Sequence, residues 1–366
     1  MTEKLLYTDN LSVGYSGRVV VGNVNIGLLP GRIVALIGPN GAGKSTILKT
    51  IARQLPPVSG RIFLEEKNLF SLPEVKLAKT MSILMTERPR PEMMTCFDIA
   101  SAGRYPYTGW LGVLSEQDKA QVWRAMELTG VSDLAGRDFN LISDGQRQLV
   151  MLARAICQQP RILVLDEPTS FLDIRHKLSL LSIIKKLVNE QKIAVIMSLH
   201  ELDLAQRIAD TVVCVRNGAI DRSGTPGEIF SGGYIGRLFG VEQGSYNELF
   251  GVPELQPPAG EPGVFVISGG GRGIELFRRL QKQGLPFAVG ILHENDVELP
   301  AAHALAADVI TETAFEPIKK STLERAMSVM EKCPKVICCL QSFGTLNDGN
   351  RLLFEMAKNQ GKLTED

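Results

Sequence analysis

Nine consecutive residues, Gly38-Pro39-Asn40-Gly41-Ala42-Gly43-Lys44-Ser45-Thr46, constrain this chain more than any other stretch. They fit the pattern G-x-x-x-x-G-K-[ST] and stand between a compact aliphatic run, Arg32 to Ile37, and a helix predicted from Lys44 to about Gln54. Glycines let the backbone curl so that successive amides point inward at phosphate oxygens. The helix that follows adds its positive N-terminal end. Lys44 supplies a point charge for β- and γ-phosphates, and the Ser45 hydroxyl is of the type that ligates Mg²⁺. Gly38, Asn40, Gly41, Gly43, Lys44, Ser45 and Thr46 are therefore the first candidates for nucleotide contact.

A second motif completes the first. Ile162-Leu163-Val164-Leu165 reads as a buried strand, with Asp166 at its end, where a carboxylate can hold Mg²⁺, and Glu167 next, where one can orient or deprotonate an attacking water. Arg161–Leu165 and Ile193–Ser198 are aliphatic runs of the parallel-strand type, and Leu5–Thr8 and Val19–Val24 read as shorter strands. Residues 88–160 read as mostly helical and carry both tryptophans, Trp110 and Trp123.

At 366 residues the chain is long enough for about two domains. Four prolines fall within residues 252–263, and proline removes amide donors and fixes the backbone, so 253–262 is expected to be a linker. It would separate a body, 1–252, from a tail, 263–366. Forty basic side chains balance forty acidic ones, and the balance holds in each part: residues 262–366 carry 12 and 13. No basic excess exists to favour nucleic acid. The longest apolar runs fall far short of the roughly 20 residues of a membrane helix, and Met1-Thr2-Glu3-Lys4 opens no apolar leader. A soluble, intracellular chain is expected. The six cysteines show no Cys-x-x-Cys spacing and read as buried thiols.

A third motif points to a family. Leu141-Ile142-Ser143-Asp144-Gly145-Gln146-Arg147-Gln148 lies just upstream of Asp166 and resembles the signature of ABC-transporter ATP-binding subunits, with Asp144 where that signature has its first glycine. Asp166 to Asp173 resembles the strand end and D-loop of the same family, His200 its switch histidine, and Tyr15 the aromatic on which adenine stacks. The resemblance covers about residues 2–250. It implies a P-loop NTPase cassette with a RecA-like core, an antiparallel β subdomain and a helical subdomain at about 88–160. It also implies a head-to-tail homodimer that holds ATP and Mg²⁺ between subunits, with Ser143, Gly145 and Gln146 of one subunit facing the nucleotide held by Lys44 of the other. Glu167 and His200 would act in hydrolysis beside Lys44, Ser45 and Asp166 would hold the metal, and Asp173 would belong to the nucleotide site. The family's glutamine after the strand near Ile83–Met85 is missing: Thr86 or Glu87 would take its role, and Glu87 is preferred because carboxylate is an ordinary Mg²⁺ ligand.

The run Ala102 to Gly112, the Thr86-Glu87-Arg88-Pro89 segment and Gly224 to Phe230 resemble importers of iron chelates (siderophore or haem) and of cobalamin. That implies separate membrane permease subunits, indirectly a solute-binding protein, and a peripheral position on the cytoplasmic face of the membrane. The alternative is a soluble ABC ATPase uncoupled from transport, as in cluster assembly. In the tail, Gly263–Ser268, Phe287–Leu292, Val309–Glu312 and Lys335–Leu340 read as strands alternating with helices, which predicts a small Rossmann-like parallel α/β domain. Its turn Gly269 to Gly273 could take a phosphate, with Glu294 or Asp296 near a ribose, or the domain could serve as a scaffold, for dimerisation or in regulation.

Overall fold

Buried aliphatic strands set the architecture of the first of two units into which the chain divides, Met1–Tyr234 and Ile235–Asp366. The computed structural model describes residues 4–86, 91–109 and 112–364. In the first unit the strands are β1 (Leu6–Tyr15), β2 (Arg18–Val24), β3 (Gly27–Leu28), β4 (Ile33–Ile37), β5 (Ser59–Leu64), β6 (Lys67–Asn68), β7 (Met81–Leu84), β8 (Ile162–Leu165), β9 (Ala194–Ser198), β10 (Thr211–Arg216) and β11 (Ala219–Gly224). The helices are α1 (Lys44–Ile51), α2 (Glu74–Thr80), α3 (Cys96–Ser101), α4 (Glu116–Thr129), α5 (Asp144–Cys157), α6 (Ile174–Gln191), α7 (Leu202–Ile208) and α8 (Pro226–Ile229).

One sheet runs β6-β5-β1-β2-β11-β10-β4-β9-β8-β7, with β3 on β1. From β10 to β7 every pair is parallel. Every residue of β4, β8 and β9 is buried, as expected of strands covered on both faces. β1 pairs antiparallel with β2, β3 and β5, and one parallel contact between β11 and β2 joins the two halves. β1 is longer than its sequence pattern predicts. Its register shifts against both neighbours, and Asn10 adopts φ 46°, which breaks the alternation by which a strand is read.

The described part of residues 88–160 holds three helices. Ser115 and Asp118 form a reciprocal cap at the start of α4, and Gly130 closes it at φ 70°. The same Asp118 accepts from Arg104 Nε at 2.9 Å, and Arg104 Nη1 donates to the Cys157 carbonyl at 2.6 Å. Both charges are buried, so this bridge fixes the start of α4 to the end of α5.

The second unit holds, with α9 (Tyr234–Phe239) at the division, β12 (Ser245–Asn247), β13 (Val252–Glu254), β14 (Val264–Ile267), α10 (Ile274–Lys282), β15 (Phe287–His293), α11 (Leu299–Leu305), β16 (Asp308–Glu312), α12 (Lys320–Lys332), β17 (Lys335–Cys338) and α13 (Asp348–Asn359). Its parallel sheet has the order β16-β15-β14-β17. Val264 and Val266 of β14 pack with α10 and α11, whereas Phe265 and Ile267 pack with α12 and α13. The two-residue period of the strand thus builds one core on each face. Beyond β17, Val336 N donates to Lys362 O and Thr364 N donates to Val336 O, both at 2.9 Å, so residues 362–364 run along the outer side of that strand.

The division falls earlier than the proline-rich stretch. Val252–Glu254 pairs with Ser245–Asn247 in a two-stranded hairpin, and the buried Glu254 is bridged by Arg278 of α10. Gln281 donates to Gln256 O and Gln256 to Glu242 O, so these residues group with the second unit. Four cysteines are buried, but Cys338 and Cys339 are only partly so. No helix among the described residues is long and apolar enough to cross a membrane.

Candidate nucleotide site

The loop between β4 and α1 is shaped by glycines that nothing else could replace. Gly38 has φ 147°, and a Cβ there would lie 2.1 Å from the Val215 carbonyl oxygen. Gly43 caps α1 at φ 101°, with a Cβ position only 2.3 Å from Val21 Cγ2. The closed loop buries Lys44, whose ammonium donates to the Gly38 and Pro39 carbonyls at 2.8 and 3.0 Å. Burial lowers its pKa, against the pull of the Glu167 and Asp166 carboxylates.

β8 brings Asp166 to the loop. Its Oδ1 accepts from Ser45 Oγ at 2.9 Å and from Ser198 Oγ at 2.7 Å, and its Oδ2 from Thr86 Oγ1 at 3.2 Å. Thr86 also donates to the Asp166 carbonyl at 3.1 Å. Glu87 lies outside the described residues. Glu167 turns at φ 49°, a strained value for a residue with a side chain, and its amide donates to Ser198 Oγ at 2.9 Å. Its carboxylate meets His200 Nε2 at 2.5 Å and accepts from Ser170 Oγ at 3.2 Å.

Lys44, Ser45, Thr46, Glu167, His200 and Tyr15 line one cleft of about 460 Å³, together with Asn40, Gly41 and Gly43. Tyr15 is half exposed at its mouth, within 3.4 Å of the Thr46 hydroxyl. Ser143, Gly145, Gln146 and Asp173 are not among its lining residues. Ser143 caps α5: its Oγ accepts from Gln146 N at 3.2 Å, and Gln146 Oε1 accepts from Ser143 N at 3.0 Å. Gly145 is buried against α6, where a Cβ would lie 2.6 Å from the His176 ring. Asp173 caps α6, and the His176 amide and ring hold its carboxyl below the usual range. Two further residues belong to the site: Ser198, a hydroxyl closing an aliphatic run two residues before His200, and Gln148, which donates to the Pro168 carbonyl at 3.0 Å.

The family profile described as ABC transporter matches residues 21–170. An uncharacterised ABC transporter ATP-binding protein of Methanocaldococcus jannaschii is 41% identical over 289 residues, 79% of this chain and all of that one. The chain belongs to the ATP-binding proteins of ABC transporters. This ABC ATPase is also 35% identical over 256 residues to a petrobactin import ATP-binding protein of Bacillus anthracis, covering 70% of this chain and 94% of that protein. A cobalamin import ATP-binding protein of Halobacterium salinarum is 28% identical over 328 residues, covering 88% and 82%. A solved ATP-binding subunit of an ABC transporter superposes with TM-score 0.56 at 27% identity, covering 67% of the ABC ATPase and 98% of that chain. In the second unit, the profile named MJ0874 family matches residues 287–364.

Proposed function

We propose that this ABC ATPase is the ATP-hydrolysing subunit of an importer for a metal chelate, a ferric siderophore, haem or cobalamin. It would act as a homodimer on separate permease subunits at the cytoplasmic face of the membrane, fed by a solute-binding protein. The observation that carries the reading is the convergence of Lys44, Glu167 and His200 on one cleft beside Ser45 and Asp166. The relatives named for petrobactin and cobalamin import support the cargo class.

Ser45 Oγ, the Asp166 carboxylate and Thr86 Oγ1 form a set of hard oxygen donors, which fits Mg²⁺. Ser45 and Asp166 would hold it, and it would neutralise charge on the β- and γ-phosphates. Loop amides and Lys44 cradle the phosphates, and Tyr15 offers a ring to the adenine. Glu167 accepts the proton of the attacking water, while His200 fixes the carboxylate and reaches toward the γ-phosphate. Ser143 Oγ accepts from Gln146 N, which leaves its own proton free to donate to a phosphate held by a second subunit.

A groove of about 650 Å³ beside Thr86 supports a coupled permease. Met81, Met85 and Met151 give it adaptable apolar patches within a mostly polar lining that includes Arg53, Glu74 and Arg154. Met85 is the chain neighbour of Thr86, whose hydroxyl donates to Asp166, so a partner seated in the groove would lie two residues from the metal-holding carboxylate.

Glu167→Gln should keep ATP binding, lose hydrolysis by about 100-fold or more, and accumulate ATP-bound dimers. Phosphate release and light scattering measure both, and near-wild-type turnover would overturn the role of Glu167. Co-purification of a polytopic membrane protein, followed by uptake of labelled ferric siderophore against labelled cobalamin, tests the transport reading. A soluble partner alone would favour an uncoupled ATPase.

A further inference from the structure

The second unit carries a cleft of its own, of about 340 Å³, at the carboxyl edge of its parallel sheet. That size lies at the lower end for small-molecule pockets, roughly 300–1,000 Å³. Each of the four strand-to-helix connections contributes: Gly270 after β14, Asp296 and Val297 after β15, Phe315 after β16, and Leu346 and Asn347 after β17. In open parallel sheets this edge is where ligands bind.

The chemistry of the lining limits the ligand. The glycine-rich turn would ordinarily offer its amides to a phosphate, but here they are taken. Gly270 N donates to both oxygens of Asp296, at 3.2 and 3.0 Å, and Gly273 N donates to the buried Glu298 at 2.8 Å. A bound phosphate would have to displace carboxylates that carry the same charge. No lysine or arginine lines the cleft, and the one imidazole, His293, already has its Nε2 within 2.9 Å of the Glu316 carbonyl. The rest of the lining is the Asp296 carboxylate, the side-chain amides of Asn295 and Asn347, and the apolar Val297, Phe315 and Leu346. The Asn347 Oδ1 is buried without a hydrogen-bond partner and lacks a donor.

Phe315 is the second observation. It lines the cleft, is 76% exposed as a residue, and sits at φ 63°, a left-handed conformation that a bulky residue adopts only under constraint. An exposed aromatic face held at such a cost, beside Val297 and Leu346, is a platform for a flat ring.

We propose that this cleft binds a purine nucleoside: a planar ring stacked on Phe315, with hydroxyl or amino donors directed to Asp296 and Asn347, and without a phosphate. The full chain is first saturated with a non-hydrolysable ATP analogue and Mg²⁺ to occupy the first unit's site, and that filling titration is recorded separately. Adenosine and guanosine are then titrated calorimetrically, with AMP as the comparison.

At least one nucleoside should bind, and AMP about tenfold more weakly or not at all. Phe315→Gly relieves the strained backbone, so its Tm should hold or rise while nucleoside affinity falls about tenfold or more. Asn347→Leu removes a buried acceptor and should likewise weaken binding with the fold intact. Absence of binding by either nucleoside, binding that survives both substitutions, or AMP binding as tightly as its nucleoside would each overturn the proposal. Failure of the ATP analogue to bind in the first titration would instead count against the first unit's assignment.

Discussion

Ser198 shows how much of the hydrolytic geometry rests on one hydroxyl. Its Oγ donates to Asp166 and accepts from the Glu167 amide, so it joins the end of β9 to the Asp166 carboxylate and the Glu167 main chain at the end of β8. Its side chain is fully buried. Ser198→Ala should cost about 1–3 kcal/mol, because it leaves a buried amide and a carboxylate oxygen short of a partner. Turnover should fall with little change in ATP affinity, as read from denaturation midpoints and steady-state hydrolysis. The aliphatic run before Ser198 was legible in the sequence; the hydroxyl's partners were not, because they depend on β8 and β9 being neighbours. Thr86 was harder still. The Thr86 hydroxyl lies on the Asp166 carboxylate and carbonyl, a contact that no spacing in the sequence announces, while Glu87 lies outside the described residues.

Among the elements, α5 shows how a motif can serve two purposes. The helix begins at Asp144, inside the signature, because Ser143 and Gln146 form a capping box. Asp144 to Gln148 of the signature are therefore part of the helix start, and Asp144 adds a negative charge where the helix dipole favours one. Ser143→Ala should cost about 1 kcal/mol of stability, and Ser143→Thr should restore most of it. If Ser143 also donates to phosphate across a dimer, the alanine variant will lose ATP-driven dimerisation beyond what its stability predicts, as sedimentation at matched folded fractions would show. Gly145 is constrained from the opposite side, since the His176 ring occupies the space a side chain would need. The parallel strands, by contrast, were plain in the sequence, because burial on both faces leaves unbroken aliphatic runs.

For the molecule as a whole, charge balance concealed a local asymmetry in acid response. Glu312 of the second unit is buried, which alone would raise its pKa. The Lys319 and Thr313 amides, the Thr322 hydroxyl and the Lys319 ammonium outweigh burial and hold it at about 2. A carboxylate lowered from 4.5 contributes stability that is complete above that pH and fades as pH falls toward about 2. Glu312→Gln should therefore lower the urea midpoint of the second unit at neutral pH, and the gap to wild type should narrow between pH 4.5 and 2. The two-part organisation was legible from proline content, but the division after Tyr234 was not. Glu254, within the expected linker, is buried and bridged by Arg278, a pairing that no local pattern announces. The stretch 362–364 has a consequence of another kind. By taking both outward main-chain groups of Val336, it denies the rim of β17 to any foreign strand. Removing residues 362–364 would expose both of those main-chain groups and leave β17 with a free pairing edge at Val336.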